Sequence, residues 1–101
     1  MNTYEVIREH LTEEELLAQL AEEATELAQA ALKLRRVYDG KNPTPVTHDV
    51  AFDNLKEEIA DVMLVIDVLG VGRDHMERCM RQANKLSRWM KRLEERTEEK
   101  A

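Results

Sequence analysis

Apolar residues recur every three or four positions along nearly the whole chain, and only two short stretches interrupt them: Asp39-Gly40-Lys41-Asn42-Pro43-Thr44-Pro45 and Gly70-Val71-Gly72. That spacing is the period of an α-helix, so the two interruptions leave three long helical segments. With three glycines, two prolines and 4% aromatic residues among 101, the chain lacks the turn and strand formers of a sandwich or barrel. The fold class it predicts is all-α, in one small domain with a single core.

Local signals set the helix ends. Thr12-Glu13-Glu14-Glu15 reads as a capping box that starts the first long helix near Glu13. Leu17, Leu20, Ala24, Leu27, Ala31, Leu34 and Tyr38 follow as its apolar stripe, and Asp39-Gly40 ends it. Thr47 is the expected N-cap of a second helix carried by Leu55, Ile59, Val62, Ile66 and Leu69 and closed by Gly70. From Ile59 to Leu69 only Asp61 and Asp67 are charged, which predicts the most buried helix of the three. Asp74 caps a third helix with Glu77 at its N3 position, along the stripe Met76, Cys79, Ala83, Leu86, Met90 and Leu93, and the polar tail from Glu94 is expected to fray. Tyr4 to Leu11 suits a short helix closing one end of the assembly. The first long helix would be about 39 Å long, and three such rods leave apolar surface that one small chain can hardly cover. The expected architecture is therefore an antiparallel helical bundle, three long helices plus a short N-terminal one, completed by homo-oligomerisation as a dimer or tetramer.

Other classes fall away. One cysteine, Cys79, makes no internal disulfide, and one cysteine with His10, His48 and His75 scattered along the chain makes no zinc site. No apolar run approaches the ~20 residues of a membrane span. The first residues lack the basic start and apolar stretch of a signal peptide, so a cytoplasmic location is expected. A net charge of −6 argues against general nucleic-acid binding.

The chemistry is concentrated in two segments of one shape, Leu20-Ala21-Glu22-Glu23-Ala24-Thr25-Glu26 and Leu55-Lys56-Glu57-Glu58-Ile59-Ala60-Asp61. At 100° per residue, Glu22, Glu26 and Glu23 fall within one narrow face of a helix, and Glu57, Asp61 and Glu58 do the same. Like charges at these spacings repel, so two such faces brought together call for a cation between them. Oxygen donors without histidine or cysteine favour Mg²⁺, with Mn²⁺ as a substitute. Asp61, among Ile59, Ala60, Val62, Met63 and Leu64, is expected to be buried and so to need a cation or proton most. The third helix is the opposite in charge: Arg78, Arg81, Lys85, Arg88, Lys91 and Arg92, with no acid among them. An acidic, metal-holding wall and a basic wall suit a metal-bound polyphosphate. Asn84 within the basic stripe adds a neutral donor, and Trp89 is read as core or interface.

With these residues in view, the chain resembles the MazG-like nucleoside triphosphate pyrophosphohydrolases of the all-α NTP pyrophosphatase superfamily. Their E-E-x-x-E and E-x-x-D signature corresponds to Glu22-Glu23-Ala24-Thr25-Glu26 and Glu58-Ile59-Ala60-Asp61, and Asn84, Lys85 and Arg88 match the family's third helix in residue type. The resemblance covers about residues 13–93 of a single domain, 1–101. It implies Mg²⁺-dependent cleavage of NTPs or dNTPs between the α and β phosphates, releasing a nucleoside monophosphate and pyrophosphate, in pool control or housecleaning. It also implies Glu23, Glu26, Glu58 and Asp61 as metal ligands, with Glu22 and Glu57 as outer ligands or the base that polarises water. Catalytic roles thus fall to Glu22, Glu23 and Glu57, and phosphate contacts to Arg81, Asn84, Lys85 and Arg88. Two alternatives stand beside this: hydrolysis of phosphoribosyl-ATP on the same architecture, and a non-catalytic helical interaction module.

Overall fold

A computed structural model describes residues 2–40, 45–71 and 74–100, and every regular element among them is helical: α1 (Thr3–His10), α2 (Glu13–Asp39), α3 (His48–Leu69) and α4 (His75–Lys100). Lys41 to Thr44 of the first expected break, Pro43 among them, and Gly72 of the second lie outside the described residues.

The ends form where the side chains can supply the hydrogen bonds that helix termini lack. Thr12 Oγ1 accepts from the Glu15 N–H at 3.1 Å, while Glu15 Oε1 accepts from the Thr12 N–H at 3.3 Å, closing the expected capping box. A second box opens α1, where Asn2 Oδ1 accepts from the Glu5 N–H at 2.9 Å. Thr47 Oγ1 accepts from the Val50 N–H and Asp74 Oδ1 from the Glu77 N–H, starting α3 and α4. Gly40 (φ 68°) and Gly70 (φ 79°) end α2 and α3 in the left-handed conformation that L side chains resist. Thr12→Ala is expected to lower stability by about 1 kcal/mol, seen in urea melts as a lower midpoint at unchanged slope.

Residues 1–71 form one compact unit. In it α2 and α3 make an antiparallel hairpin. Tyr38 meets His48 at its loop end, Glu26 meets Glu58 midway, and Leu16 meets Leu69 at its far end. The α2 seam runs through Leu16, Leu20, Glu23, Leu27, Ala30, Leu34 and Val37, and the α3 seam through Ala51, Leu55, Glu58, Val62, Val65 and Leu69; all are buried or half-buried. Steps of four and three give each helix a coiled-coil-like strip. This corrects the stripe expected for α2: Leu20, Leu27 and Leu34 belong to it, but Leu17 and Tyr38 are 48% and 70% exposed. The helix is turned by about 60° from that expectation, which puts Glu23 in the seam and Ala24 outside.

α1 packs on α3, and Arg8, Leu11, Glu13, Leu16 and Leu69 line one shallow hollow, as expected of a helix closing one end. α3 is, as expected, more buried for its length than α2, though only on one side. Ala51, Val65 and Val68 are buried, but Ile59, Met63 and Leu64 are 44%, 42% and 51% exposed, because α2 and α1 cover only part of its circumference. Residues 72–101 form the second unit. Here α4 runs to Lys100 rather than fraying from Glu94. Within this unit Met76, Met80, Leu86, Trp89, Met90 and Leu93 are exposed. No helix among the described residues is long and apolar enough to cross a membrane.

Candidate metal centre

Because the seam carries Glu23 on α2 and Glu58 on α3, the hairpin forces two carboxylates into the space between its helices. Glu26, one turn beyond Glu23, joins them. Carboxylate oxygens of Glu23, Glu26 and Glu58 all lie within 4.8 Å of one another, and all three residues are half-buried. Gln19 fixes the first of them: its Nε2 donates to Glu23 Oε1 at 2.8 Å, one helical turn away. The other oxygen, Glu23 Oε2, is buried without a hydrogen-bond partner, and so is Glu58 Oε2. Buried polar atoms are ordinarily paired, and a buried carboxylate oxygen without a donor is costly. Thr25, inside the motif, turns its hydroxyl back to the Ala21 carbonyl at 2.9 Å and adds no donor to the cluster.

The charges leave a mark on Glu26. Its carboxyl is raised above the ordinary glutamate range, first by the charge of Glu23, then by desolvation, a hydrogen bond with Glu23, and the charges of Glu58 and Glu22. A proton or a cation relieves the same repulsion. Three hard oxygen donors, two with unpaired buried atoms, fit a small divalent cation such as Mg²⁺.

Of the residues singled out in the sequence, Glu23, Glu26 and Glu58 come together; Glu22, Glu57 and Asp61 are exposed and outside this group. The burial expected for Asp61 is overturned. Its apolar neighbours in sequence point in other directions around the helix, and the seam position in this stretch belongs to Glu58. On α4, Arg81 is held by Glu77, with Nε at 3.0 Å and Nη2 at 2.7 Å from Oε1, which occupies one of the four residues expected to contact phosphate. Asn84, Lys85 and Arg88 are exposed. Lys85, Arg88, Lys91 and Arg92 surround Trp89, with Glu95 beside them. Sequence reasoning missed Gln19. Its spacing of four from Glu23, with a side-chain amide on the same face, is the signal that finds it.

Among the described residues the fold is all-helical, and the carboxylate cluster in its hairpin seam offers the kind of oxygen donors with which metal-binding helix bundles hold cations. The MazG nucleotide pyrophosphohydrolase domain matches residues 11–99, so the chain belongs to that family. No curated protein and no solved structure matches it significantly.

Proposed function

We propose that this protein is a Mg²⁺-dependent nucleoside triphosphate pyrophosphohydrolase, cleaving NTPs or dNTPs between the α and β phosphates to a nucleoside monophosphate and pyrophosphate. The observation that carries the reading is the trio Glu23, Glu26 and Glu58, with unpaired buried oxygens on two of its members, in a chain of a nucleotide pyrophosphohydrolase family. These three are the proposed inner ligands, and Asp61, one turn from Glu58 on α3, is the proposed fourth. When bound, the cation neutralises phosphate charge and acidifies water. The protein supplies the rest. Gln19 orients Glu23, and Glu22 and Glu57 are the exposed carboxylates proposed to take the proton from the attacking water. Lys85, Arg88 and Asn84 are proposed contacts to phosphate, and Arg81 joins them only if it gives up Glu77.

Residues 1–101 as one domain, with its core at about 13–93, and a homo-oligomeric helical bundle belong to the same proposal. The apolar Ile59, Met63 and Leu64 that α1 and α2 leave uncovered on α3 support further helix packing in that bundle. Phosphoribosyl-ATP is the alternative substrate if no nucleoside triphosphate turns over.

The test is a product assay. Purified protein, Mg²⁺ and a panel of ribo- and deoxyribonucleoside triphosphates are incubated, and monophosphate plus pyrophosphate is resolved from diphosphate plus phosphate. Monophosphate plus pyrophosphate is the expected pair, and Asp61→Asn should lower its rate at least about 10-fold with the helical signal unchanged. Diphosphate plus phosphate would overturn the assignment of the bond cleaved.

A further inference from the structure

Two of the three clustered carboxylates, those of Glu26 and Glu58, open onto a longer groove between α2 and α3. Glu26 and Glu58 share this groove of about 380 Å³ with Gln29, Lys33, Arg36 and Asn54. We infer that Lys33 and Arg36 are its anion-binding end and hold the phosphates of a polyphosphate whose cation sits on the carboxylates. This rests on the function proposed above and adds a binding site for the phosphate chain within residues 1–71.

Position argues for it first. Lys33 is seven residues beyond Glu26, two turns along the same face and about 10 Å away. Long side chains on a helix lean toward its N-terminus, which on α2 is the direction of Glu26. Glu58, on the antiparallel α3, leans toward Asn54 and so into the same groove.

Charge argues second. Among the described residues neither Lys33 nor Arg36 forms an ion pair, although Glu26 and Glu58 line the same groove. Lys33 is half-buried, giving up hydration that a solvated lysine keeps. Arg36 lies in the last turn of α2, where a base also offsets the helix dipole. Its substitution is therefore read by ligand binding rather than by stability.

Size argues third. The groove lies at the small end of the range for ligand pockets, enough for a short phosphate chain with its cation and leaving the nucleoside outside. Recognition here is consequently blind to the base, and inorganic pyrophosphate or tripolyphosphate is a sufficient ligand.

The experiment titrates inorganic tripolyphosphate into the full chain by calorimetry at saturating Mg²⁺. It compares wild type with Lys33→Gln, Arg36→Gln, Lys33→Arg and the exposed Arg35→Gln, which lies outside the groove. Thermal shift by Mg²⁺ alone is recorded for each. Loss of a charge-assisted hydrogen bond predicts about 10-fold weaker tripolyphosphate binding in each of the two glutamine variants. Lys33→Arg should bind within a few-fold of wild type, Arg35→Gln should match it, and every chain should keep its Mg²⁺ shift. KM for different nucleoside triphosphates should rise by one common factor. Wild-type binding in both Lys33→Gln and Arg36→Gln overturns the inference and leaves the pyrophosphohydrolase reading standing. A wild-type chain that shifts with Mg²⁺ but takes up no tripolyphosphate overturns it as well. A wild-type chain indifferent to Mg²⁺ removes the cation site, and the inference falls with the reading beneath it.

Discussion

Glu58→Gln is expected to abolish measurable turnover while leaving a helical protein that melts higher than wild type in the absence of metal. The first half follows from the proposed ligand role. Loss of a group that merely orients a metal ligand typically costs 10–100-fold, so loss of a ligand should cost at least about 100-fold. The second half follows from repulsion, since Glu58 lies within 4.8 Å of two other carboxylates with a buried oxygen that no donor meets. A glutamine keeps the volume, removes one charge and brings an amide that can donate to Glu23 or Glu26. Function and metal-free stability should therefore move in opposite directions, a signature that simple misfolding does not give. Steady-state product assays with thermal melts in chelator read both halves, and wild-type kcat in this variant would sink the site assignment.

The sequence carried the helix ends better than the helix faces, for a physical reason. Caps are local: Thr12, Thr47 and Asp74 act on backbone groups three residues away, and Gly40 and Gly70 act through their own φ. Faces depend on the partner helix. Two stripes on α2, one through Leu17, Ala24 and Ala31 and one through Leu16, Glu23 and Ala30, share Leu20, Leu27 and Leu34 and differ by a rotation of about 50°. Counting hydrophobicity prefers the first, because it has Ala24 where the second has Glu23. The fold takes the second, and the charge that makes it look wrong is the one that joins the carboxylate cluster.

Asp61 shows the same failure from the other side. Its immediate neighbours in sequence are apolar, but on a helix the neighbours in space are three and four residues away, and those on the N-terminal side are Glu57 and Glu58. The paired acidic blocks thus pointed to the carboxylate cluster, while which acid of each block enters the seam was fixed by tertiary contact. Lys33 and Arg36 carried no motif at all, and only the hairpin register brings them to the carboxylates.

Protons and Mg²⁺ should compete to stabilise this protein, and the competition has a definite sign. Without metal, the Glu26 carboxyl is raised in the folded chain, so the folded state holds its proton more tightly than the unfolded state. The resulting stabilisation is full below the unfolded value and is lost as pH rises through the folded one. Metal-free protein should therefore gain stability as pH falls from neutral toward the ordinary glutamate range, and Glu26→Gln should flatten that gain. A bound cation needs the carboxylates ionised, so its stabilisation grows in the opposite direction. At neutral pH and a concentration of about 100 Kd, Mg²⁺ contributes about 2.7 kcal/mol, a rise in Tm of roughly 10–20 °C for a domain this small. At pH 5 the rise should shrink by more than half, and chelator should reverse it at either pH. Thermal melts across pH 5 to 8, with Mg²⁺ and with chelator, measure both limbs. An Mg²⁺ shift of equal size at the two ends of that range would mean that the cation binds somewhere other than Glu23, Glu26 and Glu58.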